Sequence, residues 1–158
     1  MRTFLALALL LLSAACSHAK VSRGLVGAAL TRFEQCGLKI SQMRVYEKVP
    51  DDIIREHYKE HAARSFYPEL VESMTSGTVV AVEVAATFSS SSSADAQQLR
   101  GSNAVARVRK MLGSTDPSAA EMGTFRADYG LDKTRNFMHA SDSTESSARE
   151  VNLWIRGG

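Results

Sequence analysis

The chain has 158 residues, enough for one domain with a single core and too few for two substantial domains. Hydrophobic residues make up 44% of the sequence and charged residues 23%, ordinary values for a globular protein that argue against general disorder. The formal net charge of +2 is too small to indicate a nucleic-acid-binding protein. The two cysteines, Cys16 and Cys36, provide neither a disulfide framework nor a CxxC metal motif.

The first 22 residues allow two interpretations. Arg2, the apolar run from Phe4 to Leu12 and the segment Ser17-His18-Ala19 have the layout of a secretory signal, and the run is too short for a transmembrane span. Alternatively, the run is retained as the first strand of a sheet. We expect retention, because cleavage after Ala19 would remove a strand from the centre of the sheet and leave its neighbours unpaired. We therefore expect a cytoplasmic protein, with the secretory pathway as the alternative.

Helical and extended periods alternate in the next part of the chain. Arg23 to Gly37 carries its apolar residues on one helical face, and Gly37 is a natural C-cap. Leu38 to Val45 alternates between apolar and polar residues with a phase slip near Gln42, which predicts a strand. Pro50 to His61 is predicted to be helical, because proline is tolerated in the first turn and the acids after it suit the positive end of a helix.

The middle of the chain contains the clearest strand. A helix is predicted from Pro68 to Thr75, followed by Thr78 to Ala86, whose β-branched and apolar residues indicate a central strand buried on both faces. The serine-rich stretch at 87–100 is predicted to be a loop insertion. The next helix is capped by Ser102 or Asn103 and runs to Leu112.

The last third of the chain completes the pattern of a mixed fold. A long connection from Ser114 to Thr134 leads to a predicted strand from Arg135 to His139, and Asp142 with Glu145 resembles a capping box for the last helix. The apolar face of that helix is formed by Ala148, Val151, Trp154 and Ile155. The predicted fold class is α+β: a ferredoxin-like split βαβ sandwich with helices packed on a four-stranded antiparallel sheet.

Three histidines are candidates for chemistry. His57 and His61 lie at i, i+4 on a predicted helix, but no HExxH motif or third ligand accompanies them, so we expect a solvated helix face rather than a zinc site. His139 ends a predicted strand just before a helix N-terminus, a place suited to phosphate chemistry. From its neighbours alone, a packed or exposed histidine fits His139 as well as a catalytic one does.

The chain resembles the nucleoside diphosphate kinase family in seven segments that occur in family order and near family spacing. They are RGLVG (23–27), HYKEH (57–61), RSFYPELV (64–71), MTSG (74–77), MLGSTDP (111–117), GTFRADYG (123–130) and RNFMHASDS (135–143). The resemblance implies one kinase-like domain at 23–156 interrupted by the insertion at 87–100. It also implies a phosphotransferase that moves the γ-phosphate of a nucleoside triphosphate to a nucleoside diphosphate by a ping-pong phosphohistidine mechanism.

The resemblance also implies the roles of individual residues. His139 matches the nucleophile, Glu150 the carboxylate that orients its ring, and Ser141 a hydroxyl hydrogen-bonded beside it. The nucleotide-binding positions are Tyr58 near the transferred phosphate, Phe66 and Leu70 as the nucleobase clamp, Arg109, Thr115 and Arg126 at the phosphates, and Asn136 at the ribose. Mg²⁺ is implied as the cofactor, carried by the phosphates of ATP or another nucleoside triphosphate rather than by a protein metal site. Self-association into a hexamer, tetramer or dimer is implied as well.

Three departures from the family pattern distinguish this chain. The family's first strand runs into a lysine-proline-aspartate-glycine turn whose lysine contacts the phosphates, and Ser17-His18-Ala19-Lys20 stands at that position here. The other two departures are the serine-rich insertion and Ala140, which replaces the usual glycine after the histidine.

The missing lysine keeps an alternative function open, a nucleotide-binding or interaction module with impaired catalysis. A weaker alternative is nucleic-acid binding through a basic patch. That patch would consist of Arg107, Arg109, Lys110 and Arg126. We expect no specific nucleic-acid partner, because these charges already have a phosphate role.

Overall fold

The computed structural model of the protein describes residues 7–13, 24–86, 104–133 and 138–157, with the backbone alone for 7–13. Several features singled out in the sequence lie outside these ranges: Cys16, the segment Ser17-His18-Ala19-Lys20, the serine-rich insertion, the predicted helix cap at Ser102 or Asn103, and Asn136.

One antiparallel sheet holds all the strands of the described residues. The strands are β1 (Leu7–Ser13), β2 (Leu38–Tyr46), β3 (Val79–Ala86) and β4 (His139–Ala140). Their order in the sheet is β2-β3-β1-β4, and each neighbouring pair is antiparallel. The part of the apolar N-terminal run from residue 7 onward therefore lies inside the sheet, where Leu11 is opposite Ala81 on one side and His139 on the other.

Helices connect and cover these strands, so the described chain is α+β as predicted. They are α1 (Val26–Gln35), α2 (Asp51–His57), α3 (Tyr67–Thr75), α4 (104–112), α5 (Phe125–Tyr129) and α6 (Thr144–Val151). Short 3₁₀ turns lie at Lys59–His61 and Pro117–Ala119, and a π-helical turn at Asn152–Arg156 extends α6.

Strand β3 is buried on both faces, as its sequence predicts. Val80, Val82 and Val84 belong to the cluster that contains Phe33 of α1 and Phe125 of α5. Val79 and Ala81 belong to the cluster on the opposite face, which contains Ile54 of α2 and Trp154 of the π-helical turn. Alternating side chains of one strand thus anchor two separate apolar layers.

Two local predictions are confirmed by the backbone. Gly37 follows α1 with φ +70°, the left-handed conformation expected of a glycine after a helix. The pairing of β2 with β3 shifts between Ile40 and Gln42, where the apolar pattern slips. This irregularity places Leu38 and Tyr46, at the two ends of the strand, in the two different apolar layers.

Several predicted boundaries are wrong. The helix expected over Pro50–His61 is α-helical only as far as His57, and its last residues, Lys59–His61, form a 3₁₀ turn. The connection Ser114–Thr134 is not structureless, since it contains a 3₁₀ turn and α5. Strand β4 begins at His139 instead of ending there, and Met138 lies outside it.

The start and the buried face of α6 also differ from the prediction. Ser143, not Asp142, is the N-cap, since its hydroxyl accepts a hydrogen bond from the Ser146 N–H at 3.1 Å. Ala148 is exposed and Ser147 is buried. A small hydroxyl residue therefore takes the inward position that the apolar pattern assigned to alanine.

Candidate active site

His139 lies at the start of β4, where the sheet gives way to the loop before α6. Its side chain is 38% exposed, so a ligand can reach the ring. Ser141 follows the strand and is fully buried, and Ser143 then caps α6. The fold therefore holds His139 on a rigid strand close to a helix N-terminus, the location anticipated from the sequence.

Glu150 approaches His139 from α6. Its Oε1 lies 3.7 Å from His139 Nε2, longer than a hydrogen bond but within ion-pair distance. Its Oε2 accepts a 2.5 Å hydrogen bond from the Ser141 hydroxyl. Burial opposes ionisation of Glu150, but the His139 imidazole and the Ser141 hydroxyl outweigh it and hold the pKa of this carboxyl below its usual value. The carboxylate is thus charged, and it faces the Nε2 side of the His139 ring.

His57 is buried beside this pair, so the prediction of a solvated helix face is wrong for it. Its Nδ1 accepts a 3.1 Å hydrogen bond from the Trp154 indole N–H. Its ring meets the His139 ring edge to face, with centroids 5.1 Å apart. Burial lowers the pKa of His57 to about 4, and the nearby His139 lowers it further, so the ring is neutral at neutral pH.

The potential metal ligands differ from those considered in the sequence. Among the described residues, the group that could hold an ion combines His57 with His139 and Glu150, whose nearest ligand atoms all lie within 4.8 Å of one another. His61 is not part of it, because its exposed ring lies near Phe66, with centroids 5.8 Å apart. The i, i+4 spacing of His57 and His61 therefore does not produce a shared site.

Arg126 provides a fixed positive charge close to the His139 strand. One of its terminal nitrogens donates to the Gly113 carbonyl and the other to the Met138 carbonyl, each at 3.0 Å, while its Nε is buried without a partner among the described residues. Burial, with a contribution from the neighbouring charge of Arg109, lowers the pKa of Arg126. The two arginines therefore lie near each other, as expected of groups that share one anionic ligand.

A glycine makes this arrangement possible. Gly113 ends α4 with φ +81°, and a Cβ there would lie 2.3 Å from Thr124 Oγ1. Only glycine lets α4 approach the start of α5, which carries Arg126. Thr115 is exposed two residues after Gly113, whose carbonyl accepts a hydrogen bond from Arg126.

Two of the remaining residues form a separate group. Phe66 is half exposed, and Leu70 is half-buried one helical turn later, with its N–H donating to the Phe66 carbonyl at 3.0 Å. They give α3 an apolar exposed end. Tyr58 lies between this region and His139. The centroid of its half-buried ring is 6.3 Å from that of His61 and 6.4 Å from that of His139. Burial raises the pKa of Tyr58, so its phenol stays protonated.

Sequence reasoning missed the pairing of His57 with Trp154. One signal was present: His57 follows Ile53 and Ile54 at i+4 and i+3, which places it on the apolar face of α2.

Two arginines of the basic patch considered in the sequence are engaged in contacts within the protein. Arg107 donates to the Cys36 carbonyl and Arg126 faces inward, so these two do not contribute to an exposed basic patch.

In the part of the chain that the structure describes, no helix combines the length and the apolar character needed to cross a membrane.

Comparison with known proteins confirms the resemblance. The family model for nucleoside diphosphate kinase matches residues 18–157. The nucleoside diphosphate kinase of Nocardia farcinica is 43% identical over 136 residues, covering 85% of this chain and 86% of the relative. That of Staphylococcus epidermidis is 42% identical over 135 residues, covering 85% and 80%.

Solved structures agree with the sequence matches. The halophilic nucleoside diphosphate kinase from Halobacterium salinarum, in complex with CDP, superposes with a TM-score of 0.77 at 30% identity, over 96% of this chain and 88% of that one. The chain therefore belongs to the nucleoside diphosphate kinase family, a family of phosphotransferases.

Proposed function

We propose that this protein transfers the γ-phosphate of a nucleoside triphosphate to a nucleoside diphosphate through a phosphohistidine at His139. One observation carries the proposal: Glu150 occupies the Nε2 side of a partly exposed imidazole. A carboxylate there favours a proton on Nε2, which leaves the lone pair on Nδ1 for nucleophilic attack. Ser141 supports this by holding the second oxygen of Glu150.

The transfer has two balanced halves. In the first, the Nδ1 lone pair of His139 forms a bond to the γ-phosphorus, the bond from that phosphorus to the β-γ bridging oxygen breaks, and the nucleoside diphosphate leaves with that oxygen. In the second, a terminal oxygen of another nucleoside diphosphate attacks the same phosphorus and the P–N bond breaks. The Nε2 proton stays beside Glu150 throughout, so no external base is needed.

The phosphates would be held by the positive groups around His139. Arg126 is fixed by two carbonyls, so it presents its charge without first having to be ordered, and Arg109 adds a second positive charge near it. Thr115 supplies a hydroxyl at the same junction, and Tyr58 a protonated phenol near His139. Dispersed positive charge of this kind matches the charge spread over a transferring phosphoryl group.

The nucleoside would bind at the exposed end of α3. Phe66 and Leu70 offer apolar surface on which a base can stack, and stacking does not read base edges, so broad base tolerance is expected. Asn136 is proposed to contact the ribose.

Mg²⁺ fits this site as an ion carried by the phosphates. Near His139 the described residues offer one buried carboxylate, Glu150, and both of its oxygens already face Ser141 or His139. Mg²⁺ commonly keeps several waters and binds to substrate phosphates with few protein ligands. When bound, it neutralises phosphate charge, while Arg126 and Arg109 hold the same phosphates from the protein side.

A second candidate function is a nucleotide-binding module with weak catalysis. The sequence favours it at one point, since Ser17-His18-Ala19-Lys20 stands where the family has its lysine turn. In either case, the protein should bind nucleotide and accept a phosphate label, because it has Arg126, Arg109 and His139. We therefore propose an active transferase whose turnover lies below that of typical family members.

We further propose a ferredoxin-like arrangement and self-association. The strand order β2-β3-β1-β4, with α1 between β1 and β2 and with α4 and α5 between β3 and β4, supports the first. Self-association is supported by the edge strand β2, where Met43 and Val45 are about half exposed. Light scattering at micromolar concentration should report an oligomer, and a monomer alone would contradict this.

The proposed function is tested by incubation with γ-labelled ATP. The protein should acquire acid-labile label, pass it to a second nucleoside diphosphate, and lose both activities in His139→Ala while keeping its fold. Glu150→Ala should retain labelling at a reduced rate, because orientation is lost but the nucleophile remains. Label retained in His139→Ala would refute the assignment, and equal activity without Glu150 would refute its role.

A further inference from the structure

His57 stands between the nucleophile candidate and the C-terminal turn. On one side its ring is 5.1 Å from the His139 ring, at an interplanar angle of 84°. On the other side it accepts the indole N–H of Trp154, which is fully buried in the π-helical turn. Three elements distant in sequence thus meet through these rings.

The Trp154 hydrogen bond determines the protonation state of His57. An indole N–H can only donate, so it takes the single lone pair of a neutral imidazole. That lone pair is on Nδ1, and the His57 proton is therefore on Nε2. Since His57 is buried, no solvent competes for this bond, and one tautomer and one ring orientation persist.

The position of His139 requires a second restraint besides Glu150. The contact between Nε2 and Glu150 measures 3.7 Å, too long to fix the ring by itself. The edge-to-face contact with His57 restricts rotation of the His139 ring in a direction that Glu150 does not restrict. The His57 ring is itself restrained. The Trp154 indole N–H donates to it on one side, and the Tyr58 ring lies on another, with the centroids of the His57 and Tyr58 rings 4.4 Å apart.

We infer that His57 is a positioning residue for His139, and that the Trp154 indole N–H is the group that makes it rigid. This inference rests on the proposed role of His139 as the nucleophile. It also has a consequence for metals. The lone pair that His57 would offer to an ion is already taken, so the group formed with His139 and Glu150 lacks its third ligand.

The inference is tested by a double-mutant cycle with a matched control. Trp154→Phe removes the donor but keeps a ring, and His57→Phe keeps the ring beside His139 but removes the acceptor. Each should lower kcat about tenfold with little change in KM, as loss of an orienting partner does, and the double variant should lose no more than either single variant. The control is Tyr46→Phe. This variant removes a different hydrogen bond to Trp154, the one that the Tyr46 hydroxyl donates to the Trp154 carbonyl at 2.5 Å.

Each outcome of the cycle has a distinct meaning. If Trp154→Phe keeps full kcat, or if Tyr46→Phe loses as much as Trp154→Phe, the positioning role is overturned, since the turn would then act only through stability. Sensitivity to Zn²⁺ should rise at least tenfold in Trp154→Phe, because His57 regains a free lone pair, whereas unchanged sensitivity would contradict the tautomer assignment.

A measurement without turnover separates this inference from the proposed function. In the nucleotide-free protein, ¹⁵N chemical shifts should show His57 as the Nε2–H tautomer, and Trp154→Phe should show a mixture of tautomers. An Nδ1–H tautomer in the unmodified protein would overturn the inference even if the protein is active. Failure of the proposed function has a different signature, namely label that persists in His139→Ala.

Discussion

At the scale of single residues, protonation of His57 couples the active site to stability. The pKa of His57 is about 4 in the folded protein, against an ordinary value of 6.5, because the ring is buried, so the unfolded chain binds more protons between these two pH values. The contribution of neutral His57 to the free energy of unfolding is therefore complete above pH 6.5, and it is lost as the pH falls toward 4. A difference of this size corresponds to about 3 kcal/mol.

The corresponding prediction concerns the free energy of unfolding measured in urea between pH 7 and pH 4.5. It should fall more in the natural protein than in His57→Asn, by about 2–3 kcal/mol, because asparagine can accept from Trp154 without titrating. The groups that act on His57 are His139, Glu150, Arg149 and His61, all of which the variant keeps. Parallel pH profiles for the two proteins would show that His57 is not buried neutral.

At the scale of elements, the C-terminal turn is anchored to the sheet by an ion pair. Arg156 donates to Glu83 Oε1 at 2.9 Å, and Glu83 is 1% exposed in the middle of β3. The other oxygen of Glu83 is buried without a partner among the described residues. The same turn carries Trp154, whose indole N–H donates to His57.

Removing one partner of this pair should cost more than removing both. Arg156→Met leaves a buried carboxylate unpaired and should lower the free energy of unfolding by about 2–3 kcal/mol, less than for a fully buried pair because Arg156 is half exposed. The double variant Glu83→Val with Arg156→Met should recover most of that loss. Chemical denaturation of the three proteins checks this, and equal stability of Arg156→Met and the natural protein would contradict it.

The elements that could be predicted from sequence are those whose signals are local. Helix α1 and strand β3 show the apolar periods of their class, and the slip in β2 is visible at Gln42. The burial of His57 could not be predicted with the same ease, because it depends on Trp154, 97 positions away.

At the scale of the whole molecule, the residues matched to catalytic roles lie together as expected, whereas the rings that surround them could not be predicted. The family resemblance identified His139, Glu150 and Ser141, and the fold brings these three together. Asn136 lies outside the described residues, and its role remains a prediction. Spacing along the chain could indicate the residue types of the site but not the ring contacts that hold them.

The replacement of the family's lysine turn by Ser17-His18-Ala19-Lys20 leads to a prediction about turnover. A charge contact beside the transferring phosphate typically contributes about 10²–10³-fold to turnover. Replacing the segment by Ser17→Lys, His18→Pro, Ala19→Asp and Lys20→Gly should therefore raise kcat at least about tenfold, while nucleotide affinity changes less. Steady-state kinetics of the two proteins check this. If the natural sequence already turns over as fast as typical family members, and Lys20→Ala does not slow it, the turn has no such role here.

The position of β1 in the sheet has a consequence for folding during synthesis. The strand is made early, yet Leu11 pairs with Ala81 on one side and with His139 on the other. Pairings so distant along the chain are slow to form. The apolar segment must therefore wait for nearly the entire domain to leave the ribosome before both of its edges are covered. During that interval it is accessible to any factor that recognises apolar N-terminal segments, so the fate of this run depends on how fast the rest of the chain folds as well as on its own sequence.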